Sequence, residues 1–151
     1  MSTDIQQIRS KIYKYCAYQD RCTHEVSQKL MDLGLASEQL EDMLIHLENE
    51  KFFDDARFAH SFVRAKFMYK NWGRNKIRYA LKAKVIPEHL IEQALAAEIS
   101  LDDYRNVVAK LVKKKSMQWH QLPLIKRKDK TSRFLLQKGF EWDEIMRGMR
   151  E

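Results

Sequence analysis

Residues 81–95, Leu-Lys-Ala-Lys-Val-Ile-Pro-Glu-His-Leu-Ile-Glu-Gln-Ala-Leu, decide the fold, because their apolar positions Leu81, Ile86, Ile91 and Leu95 recur twice elsewhere. Leu30, Leu35, Leu40 and Leu44 precede them at a constant spacing of 51, and Leu135, Phe140, Ile145 and Met149 repeat the first set at a spacing of 105. The segments leading into each set match as well. Asp4, Asp54 and Asp103 are followed four and eight positions later by Ile8 and Ile12, Phe58 and Phe62, and Val107 and Leu111. A period near 50 residues with helical spacing inside it is the mark of a repeat protein.

Working outward, each repeat divides into three short helices. The first repeat, residues 1–53, carries Ile5, Ile8, Ile12 and Tyr15 on one helix, Val26, Leu30 and Leu33 on a second behind Thr23 as N-cap, and Leu40, Met43, Leu44 and Leu47 on a third behind Ser37. Gly34 suits the left-handed end of the second helix. The second repeat, residues 54–101, begins at Asp54 and Asp55, runs a helix through Phe58, Ala59, Phe62 and Val63, another from about Arg74 to Lys84, and a third opened by Pro87. The third, residues 102–151, begins at Asp102 and Asp103, passes through a basic connection at 117–128, and closes with a helix capped by Asp129 and a short last one. The fold class is therefore all-α: three tandem three-helix repeats packed in series into an elongated, curved molecule. Units this small bury little surface alone, so neighbours must pack together. Phe58, Phe62 and Tyr79, at helical positions, are expected in the core.

Composition narrows the class. With 44% hydrophobic and 32% charged residues, four glycines and two prolines in 151 residues, the chain favours helices over a turn-rich sheet. No apolar run approaches the roughly 20 residues that span a bilayer, and the opening residues lack a signal peptide's apolar stretch, so a cytoplasmic protein without a membrane partner is expected. Two cysteines, Cys16 and Cys22, make no disulfide framework.

Charge is uneven along the chain. Lys and Arg number 6 against 9 acidic residues in the first repeat, 9 against 5 in the second and 13 against 7 in the third, for a net +7. An anionic partner follows. In the second repeat Arg74, Arg78 and Lys82 recur every fourth residue, a stripe opposite Ile77 and Leu81, and like charges so spaced repel unless something neutralises them. With Arg64, Lys66, Lys70, Trp72 and Lys76 they form the first candidate binding face. A second cluster, Lys113 to Lys115 with Lys126, Arg127, Lys128 and Lys130, brackets Trp119 and His120; within it Lys113, Lys114, Lys126 and Arg127 are the candidate contacts. Aromatic rings among cations stack on bases or on protein surfaces, or simply pack the connection. For both clusters the plainer alternative is a solvated, solubilising surface.

Catalytic chemistry finds little footing. The acidic pairs Asp54-Asp55 and Asp102-Asp103 stand where helices begin, so capping accounts for them without a metal. The five histidines are scattered, Cys16, Cys22 and His24 lack a fourth ligand at zinc spacing, and no glycine-rich phosphate loop occurs. No enzyme activity, cofactor or metal is expected.

The stretch from Arg21 to Leu95 carries Arg21-x-x-x-Glu25-x-x-x-Lys29-Leu30-x-x-x-Gly34, then Asp54-Asp55-x-x-Phe58-Ala59-x-x-Phe62-Val63, then Trp72-Gly73-Arg74-x-x-Ile77-x-x-x-Leu81, and lastly Ile86 with the helix after it. In these motifs it resembles the core of the RecX regulatory proteins. Lys66 stands where the family usually has arginine, and Val85 where it usually has glycine. The resemblance implies a regulator that binds the RecA filament on single-stranded DNA along its groove and alters its assembly, ATP hydrolysis and strand exchange, with inhibition as the expected sign. It further implies a role in recombination, DNA repair and the SOS response, and a protein acting as a monomer. The alternative is a helix-turn-helix-like module that binds nucleic acid directly.

Overall fold

The computed structural model describes residues 2–150, with side chains from residue 4, and among them every regular element is helical. The first unit comprises α1 (Ser2–Tyr18), α2 (Thr23–Asp32) and α3 (Ser37–Asn49); the second α4 (Asp55–Lys70), α5 (Arg74–Ala83) and α6 (Glu88–Glu98); the third α7 (Leu101–Gln118), α8 (Leu124–Gln137) and α9 (Trp142–Arg150). The chain exposes 9851 Å², against about 8,100 Å² for a compact monomer of 18.1 kDa, as an extended series of units should.

The repeated leucines are the ends of a repeated turn. Leu35, Ile86 and Phe140 each donate an N–H to the carbonyl five residues back, on Leu30, Leu81 and Leu135, at 3.0, 3.1 and 3.1 Å. Gly34, Val85 and Gly139 donate to the carbonyls of Met31, Lys82 and Leu136. This is the Schellman closure, which satisfies a helix's last carbonyls through one left-handed residue and tucks the next apolar side chain under the helix. Gly34 and Gly139 supply that residue at φ +96° and +98°. Val85 supplies it at φ +60°, so the turn closes without the glycine usual at that position. A β-branched residue there is strained by about 1–2 kcal/mol. Its side chain is 69% exposed and gives little packing in return. Val85→Gly is therefore expected to stabilise the chain by about 1 kcal/mol after the unfolded-state cost of glycine, raising Tm by ~3 °C in a thermal melt.

Several expected helix ends move. Asp54 caps α4 as foreseen, accepting the Arg57 N–H at 2.9 Å. Thr23 and Ser37 are instead the first residues of α2 and α3, behind Cys22 and Ala36. Ser100, not the aspartate pair, caps α7 by accepting the Asp103 N–H at 3.1 Å, and the two carboxylates occupy the first turn. Pro87 sits at the cap position just before α6. The largest correction concerns the basic connection. α7 continues to Gln118 and α8 begins at Leu124 behind Pro123, leaving only a short turn. Asp129 lies inside α8, paired with Arg133 one turn on at 3.2 Å. Tyr79 is not core: it is 78% exposed, because it projects from the far side of α5 from Ile77 and Leu81.

The units do not share one uniform core. Ile8, Ile12, Val26, Leu30, Leu47 and Phe53 close a core inside the first unit. The second and third fuse theirs, with Phe67, Ile77 and Leu81 packed together with Tyr104, Leu135 and Phe140. Among the described residues, Cys22 is the one from the first unit buried in that shared core. Around it the first junction is polar. The Thr23 N–H and hydroxyl donate to Asp55 at 2.7 to 3.1 Å, Asp20 accepts from Arg57 at 3.0 Å and from Ser61, and Lys84 pairs with Glu25 at 2.9 Å. The second junction is a backbone crossing. Gly73 N–H donates to Lys138 O at 2.7 Å and Asn75 N–H to Gly139 O at 2.9 Å. Both junctions obey one rule, since the leading N–H of α5, on Arg74, is likewise taken by the next unit, through the Tyr104 hydroxyl at 3.0 Å.

Candidate partner interface

The arginine stripe read from the sequence is neutralised from within. Arg74 pairs with Glu141 at 2.8 Å and lies over the Tyr104 ring, 4.1 Å from its centroid. Arg78 grips Glu92 with two hydrogen bonds, 2.8 and 3.0 Å, and a third reaches Asn75. That fork holds the Glu92 carboxyl below the usual carboxylate range. Arg64, though exposed, pairs with Glu98 at 2.9 Å, and Glu98 also meets His60 at 2.8 Å; hydrogen bonds from both hold its carboxyl low. The repulsion inferred along α5 is real in sequence and answered by carboxylates on α6 and on the turn before α9. Arg127 is structural too, donating to the carbonyls of His120 and Leu122 at 3.2 Å and so pinning the turn between α7 and α8.

The lysines behave differently. Lys66 and Lys76 lie over the Trp72 ring at 4.9 and 4.6 Å from its centroid, and Trp72 rests edge-on against Phe62. Lys115 and Lys130 flank Trp119 at 5.6 and 5.2 Å, and Lys115 lies 4.1 Å from the Phe134 ring centre. Cations over aromatic faces gain modestly and keep their full charge. Both tryptophans are half-buried, so each packs in part and leaves part of its ring open. Lys82, Lys113, Lys114 and Lys126 are exposed, and among the described residues none has an ion-pair partner.

Lys138 reaches from the third unit to the second. Its ammonium donates to the carbonyl of Lys70 at 2.7 Å, the last residue of α4, where the helix dipole favours a cation. Burial, and then the charges of Lys76, Lys115 and Lys70, push its pKa below the ordinary lysine value. The charges that act on Lys138 thus belong to Lys76 on α5, Lys115 on α7 and Lys70 on α4, and among the described residues none of the four lysines has an ion-pair partner. Sequence reading had two separate clusters and passed over Lys138, which stands outside any basic run. It reaches α4 only because the glycine crossing brings α8's last turn against the second unit.

Comparison with known proteins agrees with the fold. Residues 54–95 match the family model described as RecX, second three-helix domain, and residues 102–149 the one described as RecX, third three-helix domain. Proteins called Regulatory protein RecX from Vibrio parahaemolyticus and Clostridium tetani are 32% and 31% identical over 83% and 80% of this chain. The matched regions are 79% of the first relative's length but only 56% of the second's, so the chain spans about half of some of the relatives it matches. A crystal structure of regulatory protein RecX superposes with a TM-score of 0.88 at 26% identity, covering 98% of this chain and 72% of that one. RecX from Lactobacillus salivarius shares the fold at the same TM-score over 99% and 97% of the two chains. With two of its three units matched by the family's own domain descriptions, and relatives above 30% identity along most of its length, the chain belongs to the RecX family of regulatory proteins.

Proposed function

We propose that the chain binds the RecA filament on single-stranded DNA and restrains its assembly, ATP hydrolysis and strand exchange, acting in the cytoplasm as a monomer without chemistry of its own. What supports this reading is the basic excess of the second and third units, which an extended body carries side by side and which Lys138 links by donating to the Lys70 carbonyl across their junction. Such a body meets several subunits of a polymer at once and gains by multivalency. Contact falls to lysines that no carboxylate holds: Lys66, Lys70 and Lys76 on the second unit, with Lys82, and Lys113, Lys114 and Lys126 on the third. Arg64, Arg74, Arg78 and Arg127 act one step back, by fixing the surfaces that carry them.

The test is ATP turnover by RecA on single-stranded DNA as this protein is titrated in. Suppression at substoichiometric ratios is expected, because blocking a growing polymer needs few molecules. A rate that stays flat across a wide range of ratios overturns the proposal.

A further inference from the structure

We propose that the groove between α8 and α9 is a docking site for an acidic amphipathic helix of another protein. It lies apart from the lysines assigned to the filament, and its test needs neither RecA nor DNA.

The groove exists because one side chain is small. In the second unit Arg78 crosses from α5 to α6, grips Glu92 with hydrogen bonds of 2.8 and 3.0 Å and reaches Asn75, so the space between those helices is filled. Ser132 and Met146 occupy the places of Arg78 and Glu92 in the third unit, at the spacing that joins Leu81 to Leu135. Serine spans nothing, and its hydroxyl turns back to the Asp129 carbonyl at 3.0 Å. A groove of about 510 Å³ is left, lined by Met146 and Met149 with Trp142 beside them and Lys128 and Arg150 at its rim.

The fold of the unit does not ask for this lining. Where Trp142 and Met146 lie, the first unit has Ser37 and Glu41 and the second Glu88 and Glu92, and both close their helices with those polar residues. Trp142 is 55% exposed. Two flexible thioethers beside an open indole accept apolar side chains of varied shape, with tryptophan as anchor, and a groove between helices suits the apolar face of a third.

The rim selects the sign of the partner. Lys128 and Arg150 supply cations, and Asp129, the acidic residue among the lining, is already held by Arg133 at 3.2 Å. In the second unit the equivalent place receives a carboxylate from its neighbour, since Glu141 lies 4.0 Å from Arg78. That comparison separates a foreign partner from a second copy. A copy continuing the series would offer its first unit, whose residue at the place of Glu141 is Ala36, with no charge to give.

The test uses the full chain and a labelled synthetic helix of about 16 residues, with leucine at every third or fourth place and glutamate elsewhere. Saturable binding is expected, weaker by about tenfold or more when lysines replace the glutamates. Ser132→Arg/Met146→Glu rebuilds the second unit's fork across the groove. It is expected to weaken binding by about tenfold or more while Tm stays level or rises, because α5 and α6 already accommodate that pair. If the double variant proves less stable, Trp142→Ser carries the test with the same expected loss, since it removes an open ring and installs the first unit's residue.

The wild type gives an independent readout. The side-chain methyl signals of Met146 and Met149 are expected to shift as the acidic helix is added, while those of the exposed Met31 and Met68 stay in place. Shifts at all four mean indiscriminate adsorption and overturn the proposal. So do an acidic helix that does not bind, equal affinity for the lysine version, and variants that bind like the wild type. Self-association in sedimentation that the variants abolish, without binding of the helix, also overturns it, because the occupant is then a second copy.

Discussion

Gly73→Ala is expected to lower folding stability by about 3–5 kcal/mol, more than its size suggests, because the added methyl group meets only backbone. A Cβ at Gly73 would stand 2.3 Å from the carbonyl carbon of Gly139 and 2.4 Å from the nitrogen of Phe140. Neither can rotate away as a side chain would. Gly73 itself has an ordinary φ of −77°, so the requirement is for room and not for conformational freedom. Relief means parting the second and third units, which stretches the hydrogen bonds from Gly73 to Lys138 and from Asn75 to Gly139. It also draws Lys138 away from the Lys70 carbonyl, and the urea midpoint is expected to fall with it. Gly34→Ala is the control. Nothing lies within 4 Å of its Cβ, and only its positive φ resists, so a loss of about 1 kcal/mol is expected. Equal losses at the two positions would refute the crossing as the source of the effect.

Tyr104→Ala should be comparably severe, at about 3–5 kcal/mol, the range for truncating a large buried aromatic. The ring is fully buried between Phe67 and Phe140, at centroid distances of 6.0 and 5.3 Å, with the Arg74 guanidinium across it. Its hydroxyl accepts the Arg74 N–H and donates to Glu141, so one side chain closes the start of α5 and anchors the turn before α9. Burial first, and then the Glu141 hydrogen bond, hold the phenol well above its ordinary pKa, so it stays protonated and keeps donating across the working pH range. Tyr104→Phe separates the two contributions. It keeps the ring and strands the Arg74 N–H and a Glu141 oxygen, for an expected loss of about 1–2 kcal/mol. Thermal melts of both variants read the difference. An alanine variant within about 1 kcal/mol of wild type would show that this ring does not organise the shared core.

Much of the fold was legible because periodicity reports burial directly. The spacing from Leu30 through Leu81 to Leu135 marks three copies of one helix end, and the copies are found as closures of one type. Tyr79 shows the limit of reading by residue type: its place two positions from both Ile77 and Leu81 already put it on the outer side, and an aromatic identity suggested otherwise. Asp129 misled because acidic residues mark helix starts on average, whereas Pro123 started this one six residues earlier. The candidate face was half legible. Charge counts located the basic units, but which cations are free depends on where Glu92, Glu98 and Glu141 fall in space. Lys138 carried no local signal, since it is an isolated lysine before a turn glycine and gains its neighbours only through tertiary packing.

The separate core of the first unit makes the chain mechanically unequal along its length. Two units form a stiff body, while the leading one is moored to it by ion pairs, a threonine and a single thiol. Ionic strength acts on such moorings and hardly on a fused apolar interior. Rising salt is therefore expected to loosen the leading segment from the body behind it before that body itself opens.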